Sequence, residues 1–342
     1  MRVIITDKWD SYLSSFDERY KDIYFKEEYV KLYETIQEKG VCIVAQEGEQ
    51  LMLFPFLQRH FEYNGKLYYD FETAYGYGGP IFNTEDEGFI RKSLYESFKF
   101  LSENDFICGF VRFHTLIDNY KYFDPTNIWF DRNTVAIDLS LSDDDIWKTQ
   151  IHSKNRNVIK KGEKAGLRFV VDDTFDHIND FIRLYNSTMS RLGADGFYYF
   201  DSSYYESFIQ NIKNSFLGLV CLEEKVVSAA MFMYEGHYGH YHLSGSDRDY
   251  LYCSPNNYML YHAALELKKR GVMVFHLGGG TTSSEDDSLF AFKGKFSPSR
   301  YKFHLGKFVF NKTIYDEVCD KWAKDNPEKI EKYKHYLLKY KY

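Results

Sequence analysis

The stretch SPNNYMLYHAALELKKRGVMVFHLGGGTTS, from Ser254 to Ser283, decides the fold of the chain. Ser254 is typical of a helix N-cap, Pro255 of the first helical position and Gly271 of a helix end. The apolar run 272–277 then predicts a buried strand that leads into a glycine-rich turn. The stretch thus predicts a helix followed directly by a strand, and the other predicted elements are assigned relative to this pair.

The residues before this stretch predict a helix, a hairpin and another strand. Apolar residues at helical spacing predict the helix over 176–192, and two apolar runs, 217–222 and 226–234, flank a turn-like Glu-Glu-Lys. The Tyr- and His-rich run 237–244 predicts the strand. The second half of the chain therefore has the order helix, hairpin, strand, helix, strand.

The first half of the chain repeats this order with different residues. The corresponding ranges are a helix at 27–39, a hairpin of 41–45 and 51–57, a strand at 67–71, a helix at 87–101 and a strand at 107–113. Each copy is longer than a solenoid repeat, so the pattern predicts two duplicated domains of the α+β class.

The boundary between the two copies is predicted at a helix start. Ser142 precedes three aspartates, as in a capped helix with acidic residues at the positive end of its dipole, and this helix is predicted to continue to Gly166. We therefore place the domains at 1–141 and 142–342. Two basic, aromatic segments, 312–324 and 327–342, are predicted to be helices of the second domain.

Composition supports a two-domain globular protein. The chain has 342 residues, of which 44% are hydrophobic and 27% charged, and its 31 tyrosines and 30 phenylalanines suffice to fill cores or line clefts. A formal net charge of −7 argues against general coating of nucleic acid, although a local basic face remains compatible with phosphate binding.

The sequence predicts a soluble, cytoplasmic protein. The first twelve residues reach Asp7 and Lys8 before an apolar segment of signal-peptide length develops. No apolar run approaches the roughly 20 residues of a membrane-spanning helix, so any membrane contact is expected to be peripheral. Five scattered cysteines without a CxxC pair are typical of core residues in a reducing compartment.

Three stretches together resemble the FemABX-like family, including its BioF2-like branch. They are SKNRNVIKKGEKAG (153–166), the stretch 254–283 quoted above, and DDSLFAFKGKF (286–296), in this order. The segment GYGGP (76–80) is similar to a turn that such proteins place beside the acceptor cleft. The resemblance covers nearly the whole chain.

This resemblance implies two tandem acetyltransferase-like (GNAT-like) domains that transfer an acyl or aminoacyl group to an amine in a cleft. It implies no tightly bound cofactor, only a donor substrate, aminoacyl-tRNA or acyl-CoA. It also implies that Tyr77, Gly78 and Gly79 contribute to binding the acceptor. The chain lacks the heptad pattern of a coiled-coil arm and is similar to the armless type.

A basic cluster suits a phosphate group. Lys154, Arg156, Lys160 and Lys161 lie within two turns of one predicted helix, so several can converge on one phosphate or diphosphate. A sugar-nucleotide or lipid-linked sugar acceptor would supply this anion. The alternative is a basic helix face that contacts only water.

Two neighbouring loop features have both a functional and a structural interpretation. Gly279 and Gly280 end a strand and allow backbone to approach a substrate, or they simply permit a turn. In the acidic run 285–287, Asp287 is a candidate to hold the attacking ammonium or accept its proton, whereas such a run is also common in solvated loops.

The segment LFAFKGKF supplies the candidate catalytic lysine. If it is extended, its three phenylalanines share one face, while Lys293 and Lys295 lie on the other. An ammonium beside the reacting carbonyl stabilises the oxyanion of acyl transfer. We predict that Lys293 is catalytic, that Phe292 shapes and dries the site, and that Lys295 binds substrate; two solvated lysines on an edge strand are the alternative.

Other chemistries receive less support from the sequence. His240 and His242 share a strand face near His237, but no carboxylate or cysteine at ligand spacing completes a metal site, so no metal is predicted. No nucleophile-elbow pattern is present, which favours direct transfer over a covalent acyl-enzyme.

Three functions are therefore expected in a definite order. The first is aminoacyl transfer from charged tRNA to an amine of a cell-envelope precursor, in peptidoglycan or polysaccharide synthesis. The second is an acyl-CoA-dependent N-acyltransferase acting on an amino sugar of capsule or lipopolysaccharide. The third is an inactive module that binds envelope glycans. The basic, aromatic C-terminal segment 328–342 is expected to contact tRNA or the inner membrane surface.

Overall fold

The computed structural model describes residues 1–342, except the side chain of Phe197, and divides into two compact units. The first unit comprises Met1–Asp131 and Phe303–Tyr342, and the second comprises Arg132–Lys302. This division differs from the predicted one at 141/142, because the C-terminal residues belong to the first unit.

The strands in chain order are β1 (Arg2–Thr6), β2 (Glu38–Glu47), β3 (Gln50–Tyr63), β4 (Lys66–Glu72), β5 (Ile81–Phe82), β6 (Phe106–Arg112), β7 (Ile128–Asp138), β8 (Leu167–Asp172), β9 (Ser215–Leu222), β10 (Lys225–Glu235), β11 (Tyr238–Ser246), β12 (Val274–Gly279) and β13 (Arg300–Val309). The α-helices are α1 (Asp10–Leu13), α2 (Glu27–Lys31), α3 (Glu87–Glu103), α4 (Asp143–Asp145), α5 (Ser153–Lys164), α6 (Ile178–Leu192), α7 (Ser202–Asn211), α8 (Pro255–Lys269), α9 (Ser288–Lys293), α10 (Lys312–Asp325) and α11 (Ile330–Tyr333). A π-helical turn spans Ile146–Gln150, and 3₁₀ turns span Glu18–Tyr20, Ile23–Phe25, Asn119–Tyr122, Pro125–Asn127, Gly196–Tyr198, Arg248–Cys253, Pro327–Lys329 and Lys339–Lys341.

The two units share one strand plan, as the repeated sequence pattern predicts. In the second unit the order is β7-β12-β11-β10-β9-β8, antiparallel throughout except for the parallel pair β11 and β12. In the first unit the order β13-β6-β4-β3-β2-β1 has its single parallel pair at the same place, between β4 and β6. The predicted α+β class is confirmed.

The last strand of each sheet comes from an unexpected part of the chain. Strand β7 follows β6 in sequence but pairs with β12, and β13 follows β12 but pairs with β6. Each repeat thus completes the sheet of the other. This exchange is the reason why a single cut near residue 141 does not separate the two units.

Aromatic side chains fill the core of the first unit. Phe54, Phe56 and Phe71 are fully buried, and the rings of Phe56 and Phe71 lie 4.5 Å apart. In the second unit helix α6 crosses β11 so closely that a Cβ at Gly245 would lie 2.3 Å from the backbone of Leu184. Only glycine allows this contact.

Two long predicted helices are shorter in the structure. The helix predicted at 27–39 ends at Lys31, because residues from Glu38 onward pair with β3. The helix predicted from Ser142 to Gly166 is interrupted at Ile151, which is extended. The guanidinium of Arg156 donates to the carbonyls of Trp147, Lys148 and Ile151, and so satisfies acceptors that the interruption exposes.

The C-terminal segment packs on the first unit rather than extending the second. Tyr340 donates its hydroxyl hydrogen to Asp70 at 2.8 Å, and the ammonium of Lys341 bonds both Glu38 and Glu72. Although burial would raise the pKa of Glu72, Arg112 and Lys341 lower it to about 2. The segment is therefore part of the folded core.

We predict that Lys341→Met lowers the stability of the first unit by about 3 kcal/mol at neutral pH, since Glu38 loses the ammonium that bonds it and Glu72 is left with Arg112 alone. Because the pKa of Glu72 is depressed from 4.5 to about 2, its contribution is present above pH 4.5 and is lost as pH falls toward 2. Urea unfolding at several pH values should show the deficit shrinking in this window. The control Lys334→Met, which removes an exposed pair with Glu331, should cost less than about 0.5 kcal/mol.

Candidate active site

The sheet of the second unit opens between its two parallel strands. Pairing of β11 with β12 covers Tyr238 to His240 and ends at the pair His240–His276. Both strands continue, β11 alongside β10 and β12 alongside β7, so they diverge beyond this pair. The register shifts leave His242 and Leu277 as extra, bulged residues at the start of the opening. Bulges of this kind bend strands and redirect side chains beside functional sites.

The equivalent place in the first unit is closed. Strands β4 and β6 stay paired as far as Glu72 and Phe110, and the amide of Thr73 then donates to the carbonyl of Phe110. A further parallel bridge joins Gly78 to Phe113. The opening that distinguishes the two units is thus in the second.

This closure explains the glycines of the GYGGP segment. The Gly78 carbonyl accepts hydrogen bonds from the His114 amide and the Asn119 side chain. Gly79 has a φ of +90°, and a Cβ there would lie 2.8 Å from the Asn119 amide nitrogen. Tyr77 packs edge-on against Tyr24. These residues build a loop within the first unit, and their predicted role in acceptor binding stays a prediction.

The predicted extended conformation of LFAFKGKF is wrong. Residues Ser288–Lys293 form helix α9, because the Asp287 carboxylate caps it by accepting hydrogen bonds from the amides of Leu289 and Phe290. The helix places Lys293 and Lys295 in different surroundings. Lys293 is only 8% exposed, whereas Lys295 is on the surface.

Lys293 projects into the opening between the strands. Its ammonium donates to the Gly279 carbonyl at the end of β12, at 2.8 Å, and lies 5.9 Å from the ring centroid of Tyr241 on β11. Burial lowers the pKa of Lys293 to about 7, an effect that Asp287 opposes and Arg132 reinforces. The group therefore exchanges a proton near neutral pH, as groups at active sites often do.

The structure shows the contacts of Asp287, whose predicted catalytic role stays a prediction. One carboxylate oxygen caps α9, and the other accepts four hydrogen bonds from the amides and hydroxyls of Thr281 and Thr282. Burial alone would raise the pKa of Asp287, but these bonds hold it below its usual range. A carboxylate with six bonds suits positioning of α9 better than accepting the proton of an amine.

Gly279 and Gly280, the two glycines predicted to approach a substrate, lie in close contact with Arg132 and Asp287. A Cβ at Gly280 would lie 2.4 Å from the Asp287 carboxylate, and one at Gly279 would lie 2.9 Å from the Arg132 side chain. Arg132 also donates to the Gly280 carbonyl at 2.7 Å. Close packing thus explains why both positions are glycine, and Gly279 lies beside the Lys293 ammonium.

Sequence reasoning missed Tyr241 and Ser244. The Tyr241 hydroxyl donates to Ser244 at 2.5 Å, and burial raises the pKa of Tyr241 to about 12, so it stays protonated. Nearby, the Tyr204 hydroxyl and His242 form a 2.6 Å hydrogen bond, and burial lowers the pKa of His242 to about 3. The only sequence signal for them is the density of Tyr and His in β11, which predicts a strand but not these hydrogen bonds.

A basic cavity of about 490 Å³ also borders α9. Its cationic lining is Lys154, Lys295 and Arg300, with His152 and Glu285 also present. The first turn of α5 is fixed there because the His152 amide donates to the Lys295 carbonyl at 2.9 Å. One short helix therefore supplies Phe290 and Ala291 to the cavity and Lys293 to the opening.

The four predicted phosphate ligands of α5 do not converge. Lys154 lines the cavity with Lys295, but Arg156 is bonded to the carbonyls described above. The ammonium of Lys160 lies 5.7 Å from the Trp147 ring centroid, and Lys161 is exposed outside the cavity lining. Helical spacing correctly places these residues on one helix, but the segments packed against that helix determine which of them line the cavity.

Residues 151–302 match the acetyltransferase (GNAT) domain family, which covers most of the second unit. The predicted acyltransferase class is confirmed at the level of this domain. No protein among the curated sequences compared matches the chain.

Solved structures extend the likeness to most of the chain. FemX is 14% identical, with a TM-score of 0.70 over 93% of this chain and all of its own. L-PGS from Bacillus licheniformis is 13% identical, with a TM-score of 0.54 over 83% of this chain and 87% of its own. The C-terminal domain of a provisionally named lysylphosphatidylglycerol synthetase from Agrobacterium fabrum is 12% identical, with a TM-score of 0.54 over 87% and 89%. The predicted FemABX-like tandem GNAT fold is confirmed.

In the part of the chain that the structure describes, no helix is both long and apolar enough to cross a membrane.

We predict that Lys293→Met raises stability at neutral pH by a few kcal/mol, because it removes the cost of burying an ammonium. With a pKa of about 7 in the folded chain against 10.5 unfolded, the unfolded chain binds more protons between these values. The wild type therefore gains stability as pH rises from 7 to 10.5, and the advantage of the variant shrinks over this range. Thermal unfolding from pH 6 to 10 measures the stability difference between Lys293→Met and the wild type, with exposed Lys295→Met as the control. A difference that does not change with pH would contradict the burial argument.

Proposed function

We propose that the protein transfers an aminoacyl group from charged tRNA to an amine of a cell-envelope precursor. The observation that carries this proposal is the buried Lys293 ammonium in the opening between β11 and β12, within the GNAT domain. An ammonium in such a place suits one task above others, namely stabilising negative charge that develops on a carbonyl oxygen.

In the proposed reaction the acyl carbonyl enters the opening with its oxygen near Lys293. The acceptor nitrogen forms a bond to the acyl carbon, the ester bond to the carrier breaks, and one proton passes from the nitrogen to the leaving oxygen. The ammonium, held by the Gly279 carbonyl before substrate arrives, donates to the oxyanion of the intermediate. Phe292, whose ring lies 5.5 Å from that of Phe296, is proposed to exclude water.

The basic cavity is proposed to bind the phosphates of a substrate carrier. Lys154, Lys295 and Arg300 supply positive charge there, and α9 connects this space to the reacting carbonyl. A tRNA end and a sugar-nucleotide or lipid-linked sugar acceptor both offer phosphate, so the experiment below must distinguish them.

The first turn of α8 favours tRNA over coenzyme A as the donor carrier. Helix N-termini cradle a pyrophosphate through free amides. Here Pro255 has no amide hydrogen, and the amides of Asn257 and Tyr258 donate to the Ser254 carbonyl. An acyl-CoA-dependent N-acyltransferase of an amino sugar therefore ranks second, and assays with labelled aminoacyl-tRNA and acyl-CoA across a panel of amines would separate the two.

The acceptor is proposed to be a sugar-nucleotide or lipid-linked sugar. One similar structure carries the name lysylphosphatidylglycerol synthetase, so an aminoacylated lipid is its named product. This name supports the lipid-linked member of the two acceptor classes. A cytoplasmic site of action follows from the use of charged tRNA.

We expect Lys293→Met to lower kcat and kcat/KM together by roughly 10²-fold or more, as removal of one oxyanion donor does. The wild-type kcat/KM should fall as pH rises through about 7, since the ammonium loses its proton, and the variant should lack this limb. Lys295→Met, the control, should change KM and leave kcat. Wild-type turnover by Lys293→Met with the true substrates would disprove the catalytic role.

The double variant Lys154→Gln/Lys295→Gln should raise the KM of the phosphate-bearing substrate roughly tenfold or more, with kcat and the unfolding midpoint nearly unchanged. Lys160→Gln/Lys161→Gln is the matched control, because it removes the same charge from α5 outside the cavity. Calorimetric titration with UDP-N-acetylglucosamine and with uncharged tRNA shows which carrier loses affinity. Equal affinities in both double variants would contradict the assignment.

A further inference from the structure

Three segments that are far apart in the chain form one basic, aromatic surface on the first unit. Trp129, 43% exposed, lies near the start of β7, and the Lys307 ammonium of β13 is 5.3 Å from its ring centroid. Lys307 also donates to the His335 carbonyl in the C-terminal segment at 2.9 Å. We call these residues, with Ile330, Lys339 and Tyr336, the Trp129 surface.

Two lysines of this surface bond backbone carbonyls. The ammonium groups of Lys307 and Lys339 both donate to backbone carbonyls, of His335 and Lys334 respectively. Burial and the neighbouring Lys339 lower the pKa of Lys307. The like charges therefore repel each other, and an anion bound between them would relieve the repulsion.

The C-terminal segment also exposes apolar side chains. Tyr336 is 50% exposed and Ile330 is 40% exposed, both in the same C-terminal segment. The ring of Tyr336 packs edge-on against Tyr333 and Tyr342, which are themselves stacked at 4.6 Å. Tryptophan and tyrosine beside lysines are typical of the interface between water and a phospholipid headgroup layer.

We propose that the Trp129 surface binds an anionic phospholipid membrane peripherally. The lysines contact headgroup phosphates, while Trp129, Tyr336 and Ile330 enter the interfacial layer. RNA also offers phosphates, and its bases would stack on Trp129 and Tyr336, but only an interfacial layer also buries the exposed Ile330, so the membrane fits better. The inference is independent of the proposed function, since it requires no acyl transfer, and it would bring the chain to lipid-linked acceptors.

Co-sedimentation of the full chain with vesicles tests this inference. Binding is expected to phosphatidylcholine vesicles that contain one part in three phosphatidylglycerol, to weaken with salt, and to be small without the anionic lipid. Lys307→Gln/Lys339→Gln should weaken it roughly tenfold or more. The matched control is Lys66→Gln/Lys92→Gln, which removes two lysines paired with Asp105 and Glu47 on the same unit and should change binding less than about twofold.

Tryptophan fluorescence gives a second readout that separates membrane contact from simple charge attraction. Vesicles should shift the emission of the wild type to shorter wavelength, and Trp129→Phe should remove that shift while the unfolding midpoint is unchanged. Equal vesicle binding by the two double variants, or no binding by the wild type, overturns the proposal. Loss of a tRNA gel shift in Lys307→Gln/Lys339→Gln without any vesicle binding would overturn it in favour of an RNA surface.

Discussion

The carboxylate of Asp287 accepts six hydrogen bonds, and the position of α9 depends on them. Four bonds hold Thr281 and Thr282 at the end of β12, and two start the helix. The helix then places Lys293 in the opening of the sheet and two other side chains at the basic cavity. A single buried charge thus couples the strand end, the candidate catalytic ammonium and the proposed phosphate site.

The opening itself arises from backbone pairing. After His240 and His276 the parallel pairing ends and each strand keeps only its antiparallel neighbour, and a bulged residue on each strand adds to the bend. Burial of an ammonium in the gap costs stability, because charged groups prefer water. Such a cost is common where function requires a group whose charge is adjustable near neutral pH.

Much of the fold was predictable because it rests on local patterns. The hairpins, the helix α8 with its Pro255 start and the strand after it all follow from period and turn chemistry. The conformation of 288–296 was not predictable in this way, since alternating phenylalanines suit a strand until Asp287 is recognised as a cap. The convergence of Lys154 with Lys295 depends on a long-range contact, the His152 amide on the Lys295 carbonyl, which no local pattern contains.

The exchange of β7 and β13 has a consequence for attempts to dissect the protein. A fragment cut after residue 141 would carry β7 without the strand β12 with which it pairs, and would lack the strand that completes its own sheet along β6. The remaining fragment would expose the edge of β12. Unpaired edges invite aggregation, so neither half should behave as an independent domain. A contiguous fragment that keeps β7 together with β12, such as 128–302, would instead contain every strand of the second unit's sheet.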